Sequence, residues 1–220
     1  MTLSNDARDR VKHAFEPIAV GMGRLGLTPD ALTLIGFAIT VGGAGLLALQ
    51  HWALGGIIVL AGGIFDMFDG TLARATGKVS RLGAFMDSVF DRWGEAAVYI
   101  AIVVGASVGG HTRVPVLAAT AMGAAFMVSY IRAKAEGLGF SSGTGMAAVG
   151  LMPREVRLVI LTVGLILAAE PEIKALEFAL GIIAVGATIT VIQRIVHVRR
   201  QARQQSAITS PTDQEQRRPQ

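Results

Sequence analysis

The 220-residue sequence contains no cysteine, which excludes a disulfide framework, a thiolate metal site and a cysteine nucleophile. Charge is scarce too. Only 16% of residues are charged while 52% are hydrophobic, a balance that excludes an ordinary soluble domain. There are four histidines, none of them near the acidic segment described below, so zinc is not the expected metal. The start, MTLSNDARDRVKHAFEPIAVGMGRLGLTPD, does not read as a signal peptide, because acidic and basic residues interrupt it and no compact apolar core follows a basic stretch. Internal repeats are also missing.

What the chain does have is a series of apolar runs near the ~20 residues that cross a bilayer as a helix. They predict an all-α integral membrane bundle of six transmembrane helices, at roughly 31–50, 53–75, 83–108, 114–136, 155–170 and 174–197. Ahead of them, Val11, Phe15, Ile18 and Val20 recur at helical spacing opposite Arg8, Arg10 and Lys12, the pattern of an amphipathic helix lying in the membrane interface. The expected organisation is therefore an interfacial helix and entry loop (1–29), a six-helix domain (30–200) and a disordered tail (201–220). Basic residues such as Arg74, Lys78, Arg132, Arg154, Arg157 and Arg199 gather on one side of this plan, and only Arg113 and Lys174 lie in the opposite loops. The positive-inside rule then predicts a multi-pass cell-membrane protein with both termini cytoplasmic. The net charge of +4 is spread over membrane-adjacent loops instead of a soluble face with aromatics, which argues against nucleic acid as a partner.

Against this apolar background stands FDMFDGTLARATGKVSRLGAFMDSVFDRWGEA, residues 65–96, with four aspartates. Asp66 and Asp69 are three apart and Asp87 and Asp91 four apart, so each pair shares one helix face. The short link between the two helices makes them antiparallel neighbours with the pairs at their cytoplasmic ends. Four carboxylates this close repel unless cations neutralise them, and hard oxygen donors select Mg²⁺, Mn²⁺ or Ca²⁺. Magnesium keeps open positions for substrate phosphates, which points to phosphate chemistry with Arg74 as a partner for a phosphate oxygen. The structural alternative is ion pairing of Asp66 and Asp69 with Arg74 or Arg92. Charged groups inside membrane helices favour the functional reading.

Asp66, Asp69-Gly70, Ala73-Arg74, Gly83, Asp87 and Asp91 stand at the spacing D-x2-D-G-x2-A-R-x8-G-x3-D-x3-D. In this the chain resembles the CDP-alcohol phosphotransferases. The resemblance implies a membrane enzyme, usually homodimeric, that displaces CMP from a CDP-linked lipid with an alcohol. It implies two Mg²⁺ (or Mn²⁺) ions held by Asp66, Asp69, Asp87 and Asp91, with Asp91 the general base. It further implies a CDP-lipid site at Asp66, Asp69, Gly70, Ala73, Arg74, Gly83 and Asp87, joined by Pro29, Asp30 and Thr33 of LTPDALTLIG. That last stretch also fits a plain helix start, with Thr28 or Asp30 as cap and Pro29 in the first turn.

The acceptor must be read from other polar residues. Ser129 and Arg132, Arg154 and Arg157, and Arg194 come from three helices and would converge as a forked-donor site for an acceptor that itself carries phosphate. Snorkelling at the membrane surface is the alternative for each arginine. SYIRAKAEGLG, the paired arginines and the late VIQR resemble the branch of the family that uses inositol phosphate, the phosphatidylinositol phosphate synthases. That resemblance implies CDP-diacylglycerol and a phosphorylated polyol as substrates. Two alternatives stay open: glycerol-3-phosphate as acceptor, as in phosphatidylglycerophosphate synthases, and a divalent-cation carrier whose pathway the aspartates line.

Overall fold

The computed structural model describes residues 16–140, 149–168 and 173–208; the N-terminal positions Arg8, Arg10, Val11, Lys12 and Phe15 lie outside them. Every regular element among the described residues is a helix, as expected. They are α1 (16–24), α2 (Pro29–Ala48), α3 (Trp52–Phe65), α4 (Met67–Ala75), α5 (Arg81–Val108), α6 (Arg113–Gly137), α7 (Arg154–Ile166) and α8 (Lys174–Ile208).

Local chemistry sets several of the helix ends. Thr28 Oγ1 accepts from Ala31 N at 3.2 Å with Pro29 in the first turn of α2, and Ser80 Oγ accepts from Gly83 N at 2.9 Å at the start of α5. Between α4 and α5, Gly77 takes φ +66°, a left-handed turn that L side chains resist, and sends the chain back on itself. The run expected as one helix over 53–75 is interrupted at Asp66, which closes α3 and precedes α4. At the other end α8 continues to Ile208, past the expected boundary at residue 200. Loss of apolar periodicity there does not mean loss of helix: Arg, Gln and Ala are good helix formers, and Gln201 meets His197 one turn back at 3.0 Å.

α2 packs on α3 and α5, α6 on α8 and α5, and α7 bridges α3 and α8. Their common core holds Leu47, Trp52, Tyr99, Ile102, Leu165 and Leu176, with Ala118, Ala121 and Ala125 letting α6 come close. A lipid tail is as apolar as leucine, so such helices are held by close packing more than by expulsion from water. Gly43 shows how close: a Cβ there would stand 2.9 Å from Val59 N. A smaller cluster seats α1, through Ala19 and Met22, on Leu32, Phe68 and Leu72. Large apolar side chains point outward along the bundle, among them Val116, Phe178 and Val185, as a lipid-facing surface requires. Among the described residues, four stretches are long and apolar enough to cross a membrane: Pro29–Ala48, Trp52–Ala75, Arg113–Gly137 and Lys174–Gln204. α5 carries the acidic face and α7 has 13 residues, which keeps both out of that group.

Candidate active site

Asp66 stands at the break between α3 and α4, Asp69 one turn on, and Asp87 and Asp91 one turn apart on α5. Carboxylate oxygens of Asp66, Asp69 and Asp87 come within 4.8 Å of one another. Asp69 is buried, and its orientation is fixed: Oδ2 accepts from Thr33 Oγ1 of α2 at 2.5 Å and Oδ1 accepts from the Gly70 N–H. Asp91 is not one of these three but lies beside Asp66, with which it shares Arg154. Its Oδ1 lies 2.5 Å from Arg154 Nη1, which also meets Asp66 Oδ2 at 3.0 Å, and its Oδ2 lies 3.2 Å from Arg92 Nη2. Ion pairing of Asp66 and Asp69 with Arg74 or Arg92 is not what the structure shows: Asp66 pairs with Arg154, Asp69 is held by Thr33 and Gly70, Arg92 pairs with Asp91 and Glu95, and Arg74 reaches Thr71 Oγ1 at 3.4 Å.

The three clustered carboxylates, all hard oxygen donors with no nitrogen or sulfur beside them, suit a small divalent cation. Asp91 Oδ1 is buried against Arg154 Nη1, so a cation could use this oxygen only by displacing the guanidinium. A guanidinium spanning Asp66 and Asp91 supplies part of the positive charge that such a cluster demands.

Two cavities open on this centre. One, of about 290 Å³, is lined by Pro29, Asp30, Thr33, Asp69, Gly70, Ala73, Arg74, Gly83 and Asp87, every expected nucleotide-site residue except Asp66, which is turned toward Arg154. The helix start and the cavity wall are therefore the same residues, since Thr28 caps the helix that presents Pro29, Asp30 and Thr33. At Gly83 a Cβ would lie 3.0 Å from the Oγ of Ser80, the side chain that caps α5, so glycine keeps that cap uncrowded. Lys78 and Ser80 complete the wall. From the sequence Lys78 reads only as a marker of membrane sidedness, although it and Ser80 both fall in the eight-residue spacer of the motif.

The second cavity, of about 640 Å³, collects all five residues expected for the acceptor, Ser129, Arg132, Arg154, Arg157 and Arg194, together with Asp87, Ser88, Arg92, Glu136 and Glu155. Their states differ. Arg132 is exposed and paired with Glu136 at 3.0 Å. Arg157, only 2% exposed, gives Nε and Nη2 to Glu95 Oε1 at 3.0 and 2.7 Å and Nη1 to Met152 O at 3.0 Å. Arg194, 4% exposed, donates to two backbone carbonyls, Val149 O at 2.9 Å and Val128 O at 2.5 Å, and no carboxylate among the described residues pairs with it. Arg92 and Glu95 belong to this site and were missed, because their partners lie on other helices: Arg92 donates to Ser129 Oγ of α6, and Glu95 sits under Arg157 of α7.

A membrane-type helical bundle with a carboxylate centre between a small and a larger, arginine-lined cavity has the layout of an intramembrane enzyme that handles phosphates. The chain belongs to the CDP-alcohol phosphatidyltransferase family, whose model matches residues 26–193, and it is a multi-pass membrane protein. It is 37% identical to the archaetidylinositol phosphate synthase of Pyrococcus horikoshii over 88% of this chain and 95% of that one. It is 34% identical to the phosphatidylinositol phosphate synthase of Streptomyces avermitilis over 94% of this chain and 87% of that one. Its fold matches the crystal structure of Mycobacterium tuberculosis phosphatidylinositol phosphate synthase with CDP-DAG bound, at TM-score 0.74 and 31% identity over 84% of this chain and 92% of that one. The crystal structure of that synthase with manganese and citrate matches at the same TM-score. Membership of this enzyme family sets aside the carrier alternative.

Proposed function

We propose that the protein transfers the phosphatidyl-type group of CDP-diacylglycerol to the hydroxyl of inositol phosphate and releases CMP. The observation that carries the choice of acceptor is Arg194. A guanidinium almost wholly buried, held by carbonyls and lining a cavity, with no carboxylate partner among the described residues, suits an anion that enters. A phosphorylated polyol meets that demand; serine or free inositol does not. The printed names of the relatives point the same way.

In this reading the small cavity takes the cytidine diphosphate, with Asp30, Thr33, Arg74 and the close backbone at Gly70 and Gly83 around it. Two Mg²⁺ or Mn²⁺ ions, held by Asp66, Asp69, Asp87 and Asp91, would supply polarisation of the diphosphate. Asp91 takes the proton of the acceptor hydroxyl, whose oxygen bonds to the lipid-side phosphorus as the bond from that phosphorus to CMP's phosphate oxygen breaks. Ser129, Arg132, Arg154 and Arg194 orient the acceptor's phosphate so that its hydroxyl faces Asp91. The chain crosses the membrane six times with both termini cytoplasmic, its first 29 residues lie in the interface, and it works as a homodimer.

Purified protein given CDP-diacylglycerol and, in parallel, inositol phosphate, glycerol-3-phosphate, serine or free inositol tests the acceptor through CMP release. Inositol phosphate is expected to turn over fastest. Faster turnover of any of the other three refutes the assignment.

A further inference from the structure

Glu95 extends the acidic face of α5 one turn beyond Asp91, yet it lines neither large cavity. It sits behind the acceptor cavity, on a small inner void of about 40 Å³ shared with Tyr99, Arg154 and Arg157. Its two oxygens divide their work. Oε1 accepts two N–H groups from Arg157 at 3.0 and 2.7 Å, and Oε2 accepts from Arg92 Nη1 at 3.2 Å. Arg157 is pinned from the other side by Met152 O at 3.0 Å, while Arg92 also donates to Ser129 Oγ and to Asp91 Oδ2. One carboxylate thus fixes two guanidiniums, and through them ties α5 to α6 and α7, three walls of the cavity.

We infer that Glu95 is a positioning residue for the acceptor: it holds Arg157 and Arg92 in the cavity wall, Arg92 in the setting that carries Ser129 and Asp91, without touching substrate itself. The inference rests on the reading that this cavity takes the acceptor's phosphate. Arg92 and Arg157 are thus matched by Asp91 and Glu95, and the cavity's charge for an anion comes from Arg194, which pairs with no carboxylate among the described residues. Without Glu95 Arg157 loses two of its three bonds, and Arg92 loses the contact that fixes its Nη1 toward Ser129 and is left with Asp91 as its one carboxylate among the described residues. A merely structural ion pair would lower stability and leave the substrates' relative affinities alone. A positioning residue shifts the acceptor's KM specifically.

The test uses the purified full chain with Glu95→Gln and Glu95→Asp. Gln keeps an oxygen for Arg157 but presents an amide to Arg92, and Asp keeps the charge but falls one methylene short. Loss of one charge-assisted contact predicts KM for inositol phosphate raised about tenfold or more in E95Q and less in E95D, with KM for CDP-diacylglycerol within about twofold of wild type. Inorganic phosphate, tested as a competitive inhibitor against the acceptor, should weaken in parallel with KM. Should E95Q fail to fold, E95D and an Arg92→Gln variant carry the comparison. E95D and R92Q effects that fall short of adding in the double variant support action through Arg92. If phosphate inhibits the wild type and its inhibition constant is unchanged in the Glu95 variants, the positioning role is wrong and the phosphate cavity stands. If phosphate does not compete with the acceptor in wild type, the cavity reading and this inference fall together.

Discussion

Arg154 occupies two roles at once, and removing it should move two binding constants in opposite directions. Its Nη1 lies 3.0 Å from Asp66 Oδ2 and 2.5 Å from Asp91 Oδ1, so it acts as the resident cation of the carboxylate centre. A divalent ion that recruits Asp66 and Asp91 must first displace it. Opposite charges about 4 Å apart attract by about 4 kcal/mol at an effective dielectric of 20. The Arg154 side chain is 32% exposed, however, and solvent screening cuts the net worth of such a contact. Taking about 1.5–3 kcal/mol for a charge-assisted bond, Arg154→Ala should bind Mn²⁺ about ten- to a hundredfold more tightly than wild type. The same variant loses a donor for the acceptor and should show a raised KM for inositol phosphate. Electron paramagnetic resonance titration of Mn²⁺ into detergent-purified protein without substrates measures the first effect directly. Mn²⁺ affinity that is unchanged or weaker in R154A refutes the idea that this guanidinium competes with the metal.

Other consequences follow from the same geometry. Chelation by EDTA should abolish CMP release, Mg²⁺ or Mn²⁺ should restore it, and Asp66→Asn, Asp69→Asn and Asp87→Asn should each be inactive; full turnover in excess chelator contradicts the carboxylate site. Asp91→Asn should lower kcat by about 10²–10⁴-fold while weakening CDP-lipid binding less than Asp66→Asn does, and equal loss of binding in both would make Asp91 an ordinary ligand. Arg194→Ala should raise KM for inositol phosphate about ten- to a hundredfold, with Arg194→Lys rescuing only part, since an ammonium cannot span the Val149 and Val128 carbonyls and an incoming phosphate together. A normal acceptor KM with poor membrane yield in both variants would identify Arg194 as an anchor instead.

Much of this site was legible in the sequence because its parts are local. Asp66 stands at the start of α4, Asp69 in it, and Asp87 and Asp91 on the next helix, α5, so spacing alone brings each pair together. The residues expected for the acceptor carry a weaker signal, the number of arginines in an apolar chain, and one cavity is lined by all of Ser129, Arg132, Arg154, Arg157 and Arg194. Their individual states were not legible. Arg157 and Arg194 have the same residue type and the same burial, yet one is neutralised by Glu95 and the other is held only by carbonyls; that difference depends on contacts 62 and 66 positions away in the chain. The break at Asp66 was hidden because the apolar run continues through it, and Arg154 bridging Asp66 and Asp91 joins segments with no local relation.

Asp87 lies on the wall of both cavities, and this has a kinetic consequence. Two chambers that meet at one side chain leave no distance for a group to be carried across, so donor and acceptor must be present together when the bond changes hands. Double-reciprocal plots against the two substrates should then intersect instead of running parallel, and CMP should not leave before an acceptor has arrived.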